Sequence, residues 1–187
     1  MPQISNKGLE LPQSAIRNLV PFADAAKERG VHVYHLNIGQ PDIETPKGAL
    51  KVLAETAKEL PASNGVLEYS HSAGIPSYRR ALCNYYHRHG IDVTPNQILV
   101  TTGGSEALQM AFTVCLNPGD EIIIPEPYYT NYNTFAKLCD AKIVTIPSDI
   151  KTGFALPPIE DFEKAITPRT KAIMICNPNN PTGYLYT

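Results

Sequence analysis

From residue 97 onward, β-rich runs alternate with amphipathic stretches, and this alternation constrains the fold more than any other feature of the chain. The β-rich runs are Gln97–Thr101, Glu121–Ile124, Lys142–Ile146 and Lys171–Cys176. Between them lie Ser105–Cys115, Tyr129–Cys139 and Pro158–Ile166. In the first of these, Leu108, Ala111, Phe112 and Cys115 recur at helical spacing. Strand and helix alternating in units of about 20–30 residues call for right-handed crossovers and a mainly parallel sheet. The expected class is α/β. Upstream, Pro76–His89 reads as a helix entered through a proline and closed by Gly90, and Ser14–Arg29 as a shorter helical run. Residues 1–45 are irregular and punctuated by proline, and include the segment VHVYHLNIGQPD.

Several function classes are excluded. A net charge of −2 and a pI near 6.2 leave no electrostatic footprint for nucleic acid or an anionic membrane. Apolar runs reach five residues at most, against about 20 for a membrane helix. The start, MPQISNKGLELPQ, has no apolar core of a secretory signal, and the expected compartment is the cytoplasm. Cys83, Cys115, Cys139 and Cys176 show no metal-ligand spacing and read as buried, reduced thiols. His32 and His35 stand in a β-branched segment expected to be extended, which puts their rings on opposite faces. His87 and His89 suit the C-terminal end of a helix dipole.

The most informative local feature is ILVTTGGSEALQMAF: a strand, the turn Gly103-Gly104-Ser105, then a helix. In a parallel sheet such a turn lies at a strand's carboxyl end, where ligands of open α/β sheets bind. A dinucleotide site would require a third glycine, and the string is GGSEA. A serine hydrolase elbow is nearly matched by Gly103-x-Ser105-x-Ala107, but all five histidines lie upstream of Ser105. Two readings stay open on this motif: a phosphate cup at a helix N-terminus, or a tight turn with Ser105 as N-cap.

Two further loops bear on the choice. Pro125-Glu126-Pro127-Tyr128-Tyr129 follows the second β-run, and Asn177-Pro178-Asn179-Asn180-Pro181-Thr182-Gly183 follows the fourth. Together the three loops offer phosphate donors, an aromatic face and a side-chain amide. That set suits a flat, phosphorylated, oxygen-bearing aromatic cofactor, pyridoxal 5′-phosphate. With NIGQPDIETP, EYSHSAGIPSYRRAL, VTTGGSEAL, NPGDEIIIPEPYY and ITPRTKAIMICNPNNPTG in this order, the chain resembles the fold-type I, class I/II aminotransferases of the aspartate aminotransferase-like branch. The resemblance covers about Asn37 to Thr187 and corresponds to the N-terminal half of that family.

The resemblance implies an N-terminal arm and part of a small domain at 1–45, then the first part of the α/β large domain at 46–187. It implies that Gly39 meets the substrate α-carboxylate, and that Tyr69 reaches the cofactor phosphate of a partner subunit in a homodimer. It places Gly104, Ser105 and the Glu106 N–H around the phosphate, Tyr129 against the pyridine ring, and Asn180 on the ring's O3′. It also implies cis bonds at Glu126–Pro127 and Asn180–Pro181. The activity implied is transfer of an amino group between an amino acid and a 2-oxo acid. None of the ten lysines stands in the setting of the family's Schiff-base lysine, which by the resemblance lies beyond Thr187. The chain alone is therefore expected to be inactive. A lyase or synthase of the same fold, or a non-catalytic fragment, are the alternatives.

Overall fold

A computed structural model describes residues 3–14, 16–59, 66 and 69–186. By internal contacts the chain divides into two compact units, Met1–Tyr34 with Gly104–Thr187, and His35–Gly103.

The first unit is built on three parallel strands, β1 (Glu121–Pro125), β2 (Lys142–Ile146) and β3 (Thr170–Ile173), in the order β2-β1-β3. β1 pairs with β2 from Glu121↔Lys142 to Pro125↔Ile146, and with β3 through Ile123↔Ile173. All five β1 residues are buried, which is why EIIIP reads as an apolar run rather than an alternation: both faces of a central parallel strand are covered. Ile122 and Ile124 meet Phe112 and Leu116 at the end of α5 (Gly104–Cys115), and Tyr132, Phe135 and Ala136 of α6 (Asn131–Leu138). Ile123 points the other way, onto Ile146 and onto Phe162 of α7 (Ile159–Ala165).

At the amino end of β1 the Glu121 side chain is only 2% exposed. Its Oε2 accepts from Thr167 Oγ1 at 2.6 Å, and Oε1 accepts from Arg169 Nη2 at 2.7 Å and Nε at 3.1 Å. These bonds tie β1 to the turn before β3 and hold the Glu121 carboxyl below the usual carboxylate range. The N-terminal segment docks at the end of α6. Lys7 of α1 (Asn6–Glu10) donates to Asp140 Oδ2 and to the Leu138 carbonyl, and Lys137 donates to Glu10 Oε2. The remaining helix of this unit, α2 (Val20–Glu28), follows a short 3-10 turn at Arg17–Leu19.

The second unit holds α3 (Lys47–Glu59) and α4 (Pro76–Arg88). Helix α4 opens on Pro76 and closes on Gly90 at φ +75°, where Ile91 N–H reaches back to the Tyr86 carbonyl, so the proline and glycine signals of the sequence hold. The buried Arg79 donates to the carbonyls of Gly74 and Pro95, linking the start of α4 to the 3-10 turn Pro95–Gln97.

Two expectations are corrected and one helix is added. Residues 97–101 form no strand: Gln97 ends the 3-10 turn, and the hydrogen bond of Val100 N–H goes to Ala73 in a loop. A β-rich run becomes a strand only when a neighbouring strand offers a ladder, and no such neighbour is present among the described residues. The segment around His32 and His35, expected to be extended, lies outside helix and sheet, and the His32 ring sits edge-on to Tyr34, 4.4 Å between centroids. None of the four cysteines is buried: Cys115 is exposed and the others are intermediate. Cys115 lines an open apolar groove of about 320 Å³ with Leu108, Phe112, Leu116 and Met174, so its helical spacing marks a face that this unit leaves uncovered. Helix α3 was not expected, although Leu50 and Leu53 at i, i+3 in KGALKVLAETAKE carry its signal.

Candidate functional site

Parallel strands bring their carboxyl ends to one edge, and the order β2-β1-β3 sets the loops after β1 and β3 side by side. Helix α5 leads into β1 through the short turn 116–120 and packs back along it, so its amino end lies at this same edge. Of the residues expected in the site, Gly104, Ser105, Glu106, Tyr129 and Asn180 therefore all belong to the first unit.

The start of α5 settles the role of Ser105. The helix begins at Gly104, so Ser105 lies inside the first turn and is not the N-cap. Its side chain is exposed, and a Cβ built on Gly104 would meet nothing within 4 Å. Gly103, at φ +130°, holds a backbone conformation that a side chain would strain. Just before it, Thr101 Oγ1 donates to the Gly103 carbonyl. The first turn of a helix directs N–H groups and the positive end of its dipole outward along the axis.

The loop after β1 leads into a group of three tyrosines in ring contact. Tyr129 is partly buried; its hydroxyl accepts from Asn131 Nδ2 at 2.6 Å, and its ring stands at 88° to Tyr132, 5.6 Å between centroids. Tyr128 lies parallel to Tyr132 at 6.0 Å and donates to Asn133 Oδ1. Tyr132 is buried, and burial, followed by its hydrogen bond to Cys176, pushes its hydroxyl up to about 12. Tyr129 thus rests at right angles on the buried Tyr132 while keeping an accessible surface.

The loop after β3 folds back on the last residues of the chain. Asn177 Nδ2 donates to the Tyr186 carbonyl, and Tyr186 N–H donates to Asn177 Oδ1. Asn179, 8% exposed, donates through Nδ2 to the Pro127 carbonyl at 3.0 Å and to Thr182 Oγ1 at 2.8 Å. Asn180 is exposed, and its side chain has no hydrogen-bond partner among the described residues. The peptide bonds Glu126–Pro127 and Asn180–Pro181 are cis, as expected, and so is Asn177–Pro178.

Gly39 and Tyr69 belong to the second unit. Gly39 is exposed with nothing within 4 Å of a built Cβ, and the Tyr69 side chain is fully exposed. Lys171 is the second residue of β3, at the sheet edge opposite the three loops. The sequence reading missed Asn179: nothing in the pair of asparagines between Pro178 and Pro181 distinguishes the one that turns inward.

Chemically the first-unit set pairs an anion seat with an aromatic face and an amide free to donate. A phosphate, a flat ring and a ring oxygen match these groups one for one. Pyridoxal 5′-phosphate therefore fits the donor set.

Comparison with known proteins bears on the family. The model of the family "Aminotransferase class I and II" matches residues 31–187. An aspartate/prephenate aminotransferase of Cereibacter sphaeroides is 41% identical over 159 residues, covering 84% of this chain and 38% of that protein. The aspartate aminotransferase of Pyrococcus horikoshii is 38% identical over 181 residues, covering 96% of this chain and 44% of the relative. Among solved structures, an alanine aminotransferase from Pyrococcus furiosus superposes with a TM-score of 0.90 at 37% identity, covering 99% of this chain and 46% of the other. A Thermus thermophilus aspartate aminotransferase mutant gives 0.87 at 35%, covering 100% and 47%. The chain spans less than half the length of each of these relatives.

Proposed function

The chain belongs to the class I and II aminotransferases, and from this we propose that it supplies the cofactor-facing, N-terminal half of an amino-acid aminotransferase. The observation that carries the proposal is the meeting, at one sheet edge, of the α5 amino terminus, the Tyr129 ring held against Tyr132 and the unpartnered Asn180 amide. When bound, pyridoxal 5′-phosphate would act as an electron sink for the carbanion formed at the substrate α-carbon.

This chain's residues would bind and orient. The Gly104, Ser105 and Glu106 N–H groups and the Ser105 hydroxyl donate to the phosphate, with the helix dipole adding to the attraction. Tyr129 supports one face of the ring and excludes water from it, and Asn180 Nδ2 donates to the ring oxygen. Gly39 lets the backbone approach the substrate α-carboxylate. Tyr69 acts on the phosphate of a second subunit, making the assembly a homodimer. The arm and small-domain part occupies 1–45 and the large-domain part 46–187. The lysine that moves the proton at the α-carbon is not among these residues, and the 187-residue chain alone does not transaminate. No helix among the described residues is long and apolar enough to cross a membrane. As the compartment we propose the cytoplasm.

The relatives act, by name, on aspartate, prephenate or alanine, so aspartate with 2-oxoglutarate is the first substrate pair to assay. The purified chain is incubated with cofactor and both substrates, with and without a separately expressed second half of a relative. Glutamate formation only in the complemented mixture is the expected result. Turnover by the chain alone, well above that of free cofactor, would overturn the division of labour proposed. For the dimer, sedimentation across a wide concentration range is the check, and a monomer throughout refutes it for this chain.

A further inference from the structure

Asn179 stands apart from the rest of its loop by burial: it is 8% exposed, while Pro178 and Asn180 on either side face solvent. Both protons of its side-chain amide are used, one on the Pro127 carbonyl and one on Thr182 Oγ1. A carbonyl only accepts, so the NH2 end must face Pro127 and the amide has one orientation. Its backbone is engaged as well. Asn179 N–H donates to the Tyr184 carbonyl and its own carbonyl accepts from Gly183 N–H, both at 2.8 Å. Thr182 Oγ1 also accepts from Tyr184 N–H at 3.2 Å. One side chain thus joins two loops whose bonded residues are 52 apart in sequence. Tyr129 is two residues beyond one end of this link, and Asn180 is one residue beyond the other.

We infer that Asn179 is a positioning residue that holds the Asn180 amide in register with the Tyr129 ring; this rests on the cofactor reading above. Asn179 lies beneath the loops and does not itself touch the ligand. A flat ligand must meet a ring face and an in-plane donor at the same time, and two loops on adjacent strands keep that spacing only if something spans them. Asn179→Ala removes the span. Asn179→Asp keeps its shape but puts an acceptor against the Pro127 carbonyl, where two oxygens repel.

The experiment has one arm without ligand and one with pyridoxal 5′-phosphate as probe. In the first, hydrogen exchange is followed by residue in the folded chain. Both variants should raise exchange about tenfold at the bonded amides on either side of the link, Tyr132 N–H on the Tyr129 carbonyl and Gly183 N–H on the Asn179 carbonyl, with Ile122–Ile124 unchanged. Thr182→Val, which deletes one of the two Asn179 amide bonds together with the Tyr184 N–H bond but leaves the link to Pro127, should give a smaller rise at Tyr132 and serves if either variant fails to fold. Unchanged exchange at both Tyr132 and Gly183 overturns the inference. In the second arm, equilibrium dialysis measures the dissociation constant in double-mutant cycles. Asn180→Ala should weaken binding in the native background and add nothing in the Asn179→Ala background, whereas Ser105→Ala should weaken both equally. Full additivity of Asn179→Ala with Asn180→Ala refutes positioning. If Ser105→Ala, Tyr129→Ala and Asn180→Ala all leave dialysis unchanged while the exchange effect persists, the cofactor reading has failed, and the positioning role fails with it.

Discussion

Helix α5, whose amino end we propose as an anion seat, is anchored to the sheet near its other end by Phe112, and Phe112→Ala tests that anchorage. Phe112 is 4% exposed and meets Phe135 edge to face, 6.1 Å between centroids at 68°. Deleting a buried phenyl ring costs about 3–5 kcal/mol, as lost transfer free energy plus a cavity term. The aromatic pair accounts for about 0.5–1.5 kcal/mol of such a loss. The cavity term is small at this site, because the vacated space opens into the groove of about 320 Å³ that Phe112 itself lines with Leu108, Leu116 and Met174. The expected loss is therefore near the lower end, about 3 kcal/mol. Against the usual total of about 5–15 kcal/mol, that is a large fraction of the stability. Urea unfolding at 25 °C, followed by far-ultraviolet circular dichroism, reads it as a lower midpoint at unchanged slope. Val114→Ala, 85% exposed on the same helix, is the control and should stay within about 0.5 kcal/mol. A loss below about 1 kcal/mol at Phe112, or an equal loss at Val114, would refute the anchorage.

Three further outcomes concern other parts of the molecule. The Glu121 carboxyl is held low, first by the Thr167 hydroxyl and then by Arg169, so its stabilisation is complete above the ordinary carboxylate pKa and is lost as pH falls through the lowered folded value. Urea midpoints from pH 7 to pH 3 should therefore fall for the native chain and flatten for Glu121→Gln, and parallel profiles would count against the assignment. Gly74 sits at φ +99° with a built Cβ 2.5 Å from Val100 Cβ and Cγ2, so Gly74→Ala should unfold the second unit at lower urea than the native chain, losing at least about 1–2 kcal/mol; Val100→Gly should restore only part of that, since the positive φ remains. The Tyr132 hydroxyl titrates at about 12, above its unfolded value, so stability should decline as pH rises through about 10 to 12, and Tyr132→Phe should reduce that decline. Ultraviolet titration showing every tyrosine ionised by pH 11 would contradict it.

How far the sequence reaches is clearest at three places. Helix boundaries were legible where a proline or glycine forces them: α4 starts at Pro76 and ends against Gly90 because those residues fix φ locally, whatever packs around them. The strands β1, β2 and β3 were legible because their apolar runs find partners within the chain, while the equally β-rich 97–101 run does not become a strand without one. Thiol burial was not legible: helical spacing puts Cys115 on the apolar face of α5, but burial depends on what covers that face, and an open groove lies there.

At the site the division is the same. Residue order alone determined that a glycine turn, a tyrosine loop and an asparagine loop succeed one another along the chain, and the parallel alternation implied that they share an edge. Only the tertiary structure decided that α5 starts at Gly104 and so leaves Ser105 outside the capping position, that Tyr129 is propped at right angles on Tyr132, and that Asn179 turns inward while Asn180 stays open. Local conformation reflects each residue's own steric limits. Which of two adjacent asparagines is buried depends on a carbonyl 52 residues away, and no local rule carries that information.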